Sequence, residues 1–381
     1  MKRLLLGLLL SLFVTLLCLA AAELGLRLVF PDRVEQPADL ATLAFEFDPR
    51  YGVALKPNVE KRFPQGDREI TWRTNSRGYR GPELRPSDLR VVVYGDSNVL
   101  ARFTPLARTF SAQLERELAG RSGRDVEVVN AGVVGMGPDQ SVLRFEAEAD
   151  ELRPDVVVLH VFADNDYGDL VRNRLFDLVG DRLEPSPYAP TPDQMLTEGT
   201  ARSGADALLL VRALVRLADP YPHATLLARE WAVYRAGAPR RFSHFADHYD
   251  SDVALEPGGD AARAKRRLLS AVLARGGRAA ASREIGFVVL VQPSSRDLTT
   301  NLSPNHTDFA SSAAYQRTNL SSFAEQAARS QGLHVVNLYD AFAANDPPKL
   351  YFRGGNNFHW NETGQALAAH ELASYLALHL L

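Results

Sequence analysis

Short β-branched runs alternate with helical patterns through most of the chain. Arg90-Val-Val-Val-Tyr94, Val126-Glu-Val-Val129, Asp155-Val-Val-Val-Leu-His-Val161, Phe287-Val-Val-Leu-Val291 and His334-Val-Val-Asn-Leu338 each read as a strand. They are near-continuously apolar rather than alternating, as expected of strands buried on both faces of a parallel sheet. Helical periodicity follows at 110–118, 263–281, 312–330 and 364–376. Strands separated by helices predict an α/β fold, a three-layer α/β/α sandwich around about five parallel strands. The rhythm breaks across 171–262. There the chain shows no strand signal but carries apolar helical stretches at 205–217 and 225–234, so a helical insertion of cap type is expected. Residues 26–88 are rich in Pro, Arg and Asp with little periodicity and read as an extended lead-in to a main unit spanning 89–381.

The N-terminus has a different pattern. Lys2 and Arg3 precede an uncharged run over 4–22. Nineteen residues at 1.5 Å each reach about 28 Å, close to the hydrocarbon thickness of a bilayer. Positive charge ahead of the run places that end in the cytoplasm and the rest of the chain outside it. Ala20-Ala21-Ala22 offers a cleavage site that would release a secreted protein. The length of the run, and the amphipathic continuation from Glu23, favour residues 1–25 as an uncleaved single-pass anchor. A small residue is lacking just before Cys18, which argues against lipidation.

Composition narrows the class further. Forty-three Lys and Arg against 46 Asp and Glu give a net charge of −3, so no basic face for nucleic acid is expected. Hydrophobic content of 46% suits a folded core rather than disorder. The single cysteine, Cys18, lies in the apolar run, so neither a disulfide framework nor a cysteine metal site is available to the folded part.

In open parallel sheets ligands sit beyond the carboxyl ends of the strands. Gly95-Asp-Ser-Asn98 follows the first strand, Asn130-Ala-Gly-Val-Val-Gly-Met-Gly137 the second, and Ala163-Asp-Asn-Asp166 the third; Asn356-Asn-Phe-His-Trp-Asn361 precedes the last helix. Each alone has a plain structural reading. Ser97 would be a helix N-cap, Gly135 a turn glycine, Asn165 a turn residue and His359 a satisfied histidine. Together and in this order they resemble the SGNH (GDSL) hydrolase superfamily, over roughly 75–170 and 285–376. The lead-in Asn75-Ser-Arg-Gly-Tyr-Arg80 is similar to that of its membrane-anchored bacterial members. The resemblance implies a flavodoxin-like SGNH fold and Ser97 as nucleophile. It also implies Ser97, Gly135 and Asn165 as oxyanion donors, His359 as general base, and no cofactor. The residue chemistry agrees: acyl transfer needs uncharged preorganised donors, and histidine titrates near neutrality.

One position departs from the family. Its members carry an Asp two or three residues before the His, where this chain has Asn357 and Asn356. In serine proteases the corresponding change costs about 10⁴ in turnover. An Asn carbonyl can still accept from Nδ1–H, so a Ser–His dyad, a slow enzyme and an inactive protein all stay open. The substrate implied by analogy is a short O-acyl ester, such as an acetyl group, on an envelope polysaccharide. An O-acyltransferase using the same residues and a catalytically impaired glycan-binding protein are the alternatives. His244 and His248 have helical metal spacing but lack a metalloprotease Glu, so no metal is expected. The glycines from Gly132 to Gly137 lack dinucleotide order, and the sequons at Asn301, Asn305, Asn319 and Asn361 carry no weight in a chain of bacterial character. Oligomeric state is not legible.

Overall fold

The computed structural model describes residues 2–29, 44–65, 68–180, 182–188, 191, 208–211, 214, 222–238, 248–300, 307–352 and 359–381. Helix α1, Lys2–Val29, contains a 25-residue segment, Leu5–Val29, long and apolar enough to cross a membrane, and its side chains are almost all exposed.

Two antiparallel hairpins follow. Strands β1 (Phe45–Asp48) and β2 (Gly52–Leu55) form one, β3 (Glu60–Gln65) and β4 (Arg68–Arg73) the other. Lack of periodicity pointed to an extended lead-in here. The first hairpin hides in the sequence because its strands are only four residues long, the second because in β4 only Ile70 and Trp72 are well buried between exposed charges. Tyr51, Val53 and Trp72 pack with Leu100, Val133 and Met136, so the lead-in is part of the main body's core.

The central sheet holds β5 (Leu89–Gly95), β6 (Val126–Gly132), β7 (Val156–Ala163), β10 (Gly286–Pro293) and β11 (His334–Asn337), all parallel. Its spatial order is β6-β5-β7-β10-β11. Counted along the chain this is 2-1-3-4-5, the flavodoxin-like doubly wound order, whose crevice opens between the first and third strands. The expected α/β/α sandwich with five parallel strands is therefore what the chain forms. Val91, Val92 and Val93 are fully buried, which is why these strands read as unbroken apolar runs. On one face lie helices α3 (Phe110–Ser122) and α9 (Glu362–His379), burying Leu114, Leu118, Leu372 and Leu376. On the other lie α4 (Pro138–Leu152), α7 (Asp260–Ala281) and α8 (Asn319–Ser330), burying Phe145, Leu269, Val272 and Leu320. Helix α8 starts later than the periodicity suggested, because a 3₁₀ turn, Phe309–Ser311, and a loop precede it.

The insertion departs from its all-helical expectation. It opens on a hairpin, β8 (Phe176–Val179) with β9 (Arg182–Pro185), of whose side chains only Phe176 is fully covered. Its helix Pro222–Arg235 matches the pattern at 225–234, while the stretch 205–217 lies largely outside the described residues.

Candidate active site

Three of the four motif blocks sit where sheet strands end. Strand β5 stops at Gly95, and helix α2, Ser97–Leu100, begins at once, with Asp96 as N-cap accepting from Asn98 N at 2.8 Å. Ser97 thus heads a helix whose first amides have no intrahelical partner. The tight turn depends on Gly132 at the end of β6: a Cβ there would meet the Leu100 amide nitrogen at 2.3 Å. After β6 the chain turns through Gly135 at φ +70°, left-handed backbone that glycine adopts without penalty. After β7, Asn165 caps helix α5, Asp166–Asn173, from a buried position.

The fourth block reaches the first from across the sheet. His359 Nε2 lies 2.9 Å from Ser97 Oγ, although 262 residues separate them in sequence. The ring of Phe103 packs edge-on against the His359 imidazole, centroids 5.5 Å apart. The loop that bears Phe103 is held by Arg80, whose NH1 donates to Leu100 O at 2.5 Å and to Ala101 O, and whose NH2 reaches Thr104 O at 2.5 Å. Burial without a carboxylate partner pushes the Arg80 pKa down. Asn356 and Asn357 lie outside the described residues.

Asn165 holds its amide in a buried, weakly committed state. Its Nδ2 lies 3.5 Å from Asp169 Oδ2, and its Oδ1 has no hydrogen-bond partner among the described residues. That long contact leaves an uncharged donor with capacity for a further acceptor. The segment carrying it is braced by buried charge. Asp250 N donates to Asp164 O at 2.6 Å, Gly168 N donates to Asp250 Oδ2 at 2.9 Å, and Lys265 Nζ donates to Asp250 Oδ1 at 3.0 Å. Arg172 bridges Asp169 and Glu230, the latter from the insertion helix. Asp164 is gripped by Arg296 NH1, 2.8 Å from each carboxylate oxygen, and by Ser294 Oγ at 2.5 Å. Asp166 accepts from Phe162 N at 2.6 Å; burial first, then the nearby carboxylates of Asp169 and Asp96, push its pKa well above the ordinary carboxylate range.

By sequence, no family model and no curated protein matches this chain. By structure it is similar to a lipase/acylhydrolase from Enterococcus faecalis, at 12% identity and TM-score 0.39, over 77% of this chain and 97% of that one. It is also similar to an acetyl xylan esterase, AlAXEase (14%, 0.38, 76% and 100%), and to the psychrotrophic esterase EstA from Pseudoalteromonas sp. (12%, 0.36, 77% and 99%). The likeness is one of fold. What the site can do is argued from its own geometry.

The structure brings Ser97 and His359 into contact at the carboxyl edge of the sheet, where the segments carrying Gly135 and Asn165 follow β6 and β7. No cluster of His, Cys, Asp or Glu suited to a metal occurs among the described residues; His244 lies outside them, and His248 Nε2 instead sits 3.5 Å from Glu230. Motif reading assigns no role to Phe103, Arg80, Asn98, Gln292 or His160. Only Asn98 and Arg80 had a signal, as neighbours of quoted motif residues.

Proposed function

We propose that this chain is a serine esterase that cleaves carboxylic esters through an acyl-Ser97 intermediate, held outside the cytoplasm by α1. The observation that carries it is the 2.9 Å approach of His359 Nε2 to Ser97 Oγ at the carboxyl edge of a 2-1-3-4-5 parallel sheet. A serine and a histidine at that distance form a nucleophile–base pair. Ser97 Oγ attacks the ester carbonyl carbon while its proton passes to His359 Nε2. The carbonyl oxygen takes up the negative charge and faces the Ser97 amide, the Gly135 amide and Asn165 Nδ2. Collapse breaks the bond to the alcohol oxygen, which receives the proton from His359. Water then attacks the acyl-serine by the same sequence and restores Ser97. The chemistry asks for no cofactor.

The organisation that fits this role is an anchor over 1–25, a lead-in over 26–88 and a catalytic unit over 89–381. The N-terminal helix and the family resemblance favour a short O-acyl ester of an envelope polysaccharide as substrate. The deciding experiment is fluorophosphonate labelling and p-nitrophenyl acetate turnover by the detergent-solubilised full chain beside Ser97→Ala. Both signals are expected in the parent and neither in the variant. Equal turnover by Ser97→Ala overturns the reading. Acyl transfer to an added glycan that outruns hydrolysis reassigns the same residues to a transferase.

A further inference from the structure

Around the turn that carries Ser97, four polar side chains buried from solvent form an open ring joined by hydrogen bonds on three sides. Asn98 Nδ2 donates to Asp96 Oδ2 at 3.1 Å, Gln292 Nε2 donates to Asn98 Oδ1 at 3.1 Å, His160 Nε2 meets Gln292 Oε1 at 2.9 Å, and His160 Nδ1 lies 3.5 Å from Asp96 Oδ1. Its members come from within β7 (His160), from the end of β10 (Gln292) and from the turn that carries the nucleophile (Asp96 and Asn98). One of them reaches out of the ring. Asn98 Oδ1 also accepts from Trp360 N at 3.4 Å, and Asn98 O accepts from Trp360 Nε1 at 3.0 Å. Trp360 follows His359 directly and is 1% exposed, with its ring stacked on Phe110 at 5.4 Å. The residue after the serine thus grips the residue after the histidine at two points.

We propose that Asn98 is a positioning residue: it sets the separation of Ser97 Oγ and His359 Nε2 by clasping Trp360, and the ring through Asp96, Gln292 and His160 fixes Asn98 itself. The geometry favours this over simple packing for three reasons. The amide is fully buried, so an unpaired Nδ2 or Oδ1 would be costly. The orientation of the amide is forced: Nδ2 must face the Asp96 carboxylate, which leaves Oδ1 as acceptor for both Trp360 N and Gln292 Nε2. Finally, the contacts to Trp360 join segments 262 residues apart at the only point where nucleophile and base must agree within a fraction of an ångström.

The inference rests on the Ser97–His359 reading, and the test separates the two. In the full chain, Asn98→Leu keeps the volume and removes the amide. The expected result is a fall of about 10²-fold in kcat per fluorophosphonate-titrated site, the scale of an ångström's misplacement. KM should stay within about threefold and the fraction of protein labelled at saturation should not change. Trp360→Phe removes the indole donor together with part of the buried ring; about 3–10-fold lower kcat per labelled site is expected from the lost hydrogen bond, and counting per labelled site sets aside any loss of folded protein. Per-site rates equal to the parent in both variants, with activity lost only through fewer labelled molecules, overturn the inference and make Asn98 a packing residue. Labelling that survives Ser97→Ala overturns the underlying reading instead. A readout without turnover is the NMR titration of the His359 imidazole. It should move by about half a pH unit or more in Asn98→Leu, and an unmoved titration again counts against the clasp.

Discussion

The buried brace around Asn165 makes a sharp prediction at Lys265. Its ammonium is wholly buried, 3.0 Å from Asp250 Oδ1 and 2.8 Å from Asp252 Oδ2. At an effective dielectric of about 20, one such contact is worth roughly 5 kcal/mol of attraction, set against the cost of removing both charges from water. Lys265→Met deletes the cation and keeps the stem, leaving Asp250 buried and uncompensated. Breaking a buried pair in this way costs about 3–5 kcal/mol. At about 2–4 °C per kcal/mol for a domain of this order, the melting midpoint should fall by about 6–20 °C.

The sign with pH follows from Asp250. Burial already holds its carboxyl above the usual range with Lys265 beside it, and without Lys265 it rises further. A carboxyl raised in the folded state favours folding at low pH and opposes it as pH climbs through the raised value. The deficit should therefore be larger at pH 8 than at pH 5.5. Asp250→Asn in the same background removes the stranded charge and keeps the acceptor for Gly168 N, so about 2 kcal/mol should return. Thermal melts of the three proteins at two pH values give the answer. A single variant within 2 °C of the parent, or a double variant no better than the single, refutes the argument. Since Asp250 holds Asp164 and Gly168 on either side of Asn165, the single variant should also lose kcat at temperatures where it is fully folded.

Three further outcomes are expected. Asn165→Ala should lower turnover by about 10²–10³ with little change in KM, the loss of one oxyanion donor, checked by steady-state kinetics. Arg296→Met should strand the buried Asp164 beside the oxyanion segment and lower kcat by about tenfold or more, checked by steady-state kinetics. Burial pushes Asp297 up to about 7 although the hydroxyls of Tyr249 and Tyr315 donate to it. Its contribution to stability is thus complete below about pH 4 and is lost as pH rises through 7, on the order of 4 kcal/mol in all. Asp297→Asn should flatten that part of the pH–stability curve, measured by denaturant melts from pH 5 to 9.

The sheet was legible because a strand buried on both faces must be written as an apolar run, and Val156-Val-Val158 or Val288-Val-Leu290 admits few other readings. The blocks were legible because parallel strands deliver their carboxyl ends to one edge, so residues just past each run fall together. Hairpins at the periphery escaped for the opposite reason: β4 and β8 turn few apolar side chains inward, and their text is that of a loop. The support beneath the site escaped because its partners are far apart in sequence. Gln292 lies 132 residues from His160 and 194 from Asn98, and nothing local marks a Gln at a strand end as the acceptor for a buried imidazole.

The two halves of the site are supported by different physics, and the difference bears on catalysis. Around Ser97 the support is two amides, an imidazole whose pKa burial pushes down, and a single carboxylate, Asp96, held by Asn98. Around Asn165 the chain places Asp164, Asp166, Asp169 and Asp250 within a few residues or one contact of the proposed oxyanion donor. Four bare carboxylates there would oppose the negative charge that forms on the carbonyl oxygen. Each is answered: Asp164 by Arg296, Asp169 by Arg172, Asp250 by Lys265, and Asp166 by a pKa high enough to favour its neutral form. Lys265 of α7, Arg296 just after β10 and Arg172 of α5 supply the counter-charges that pair the acidic side chains around that amide. Rigidity is what an oxyanion donor requires, since a dipole already aimed spends nothing on reorientation when the charge appears. The insertion contributes Glu230 and Asp250 to this set of buried pairs.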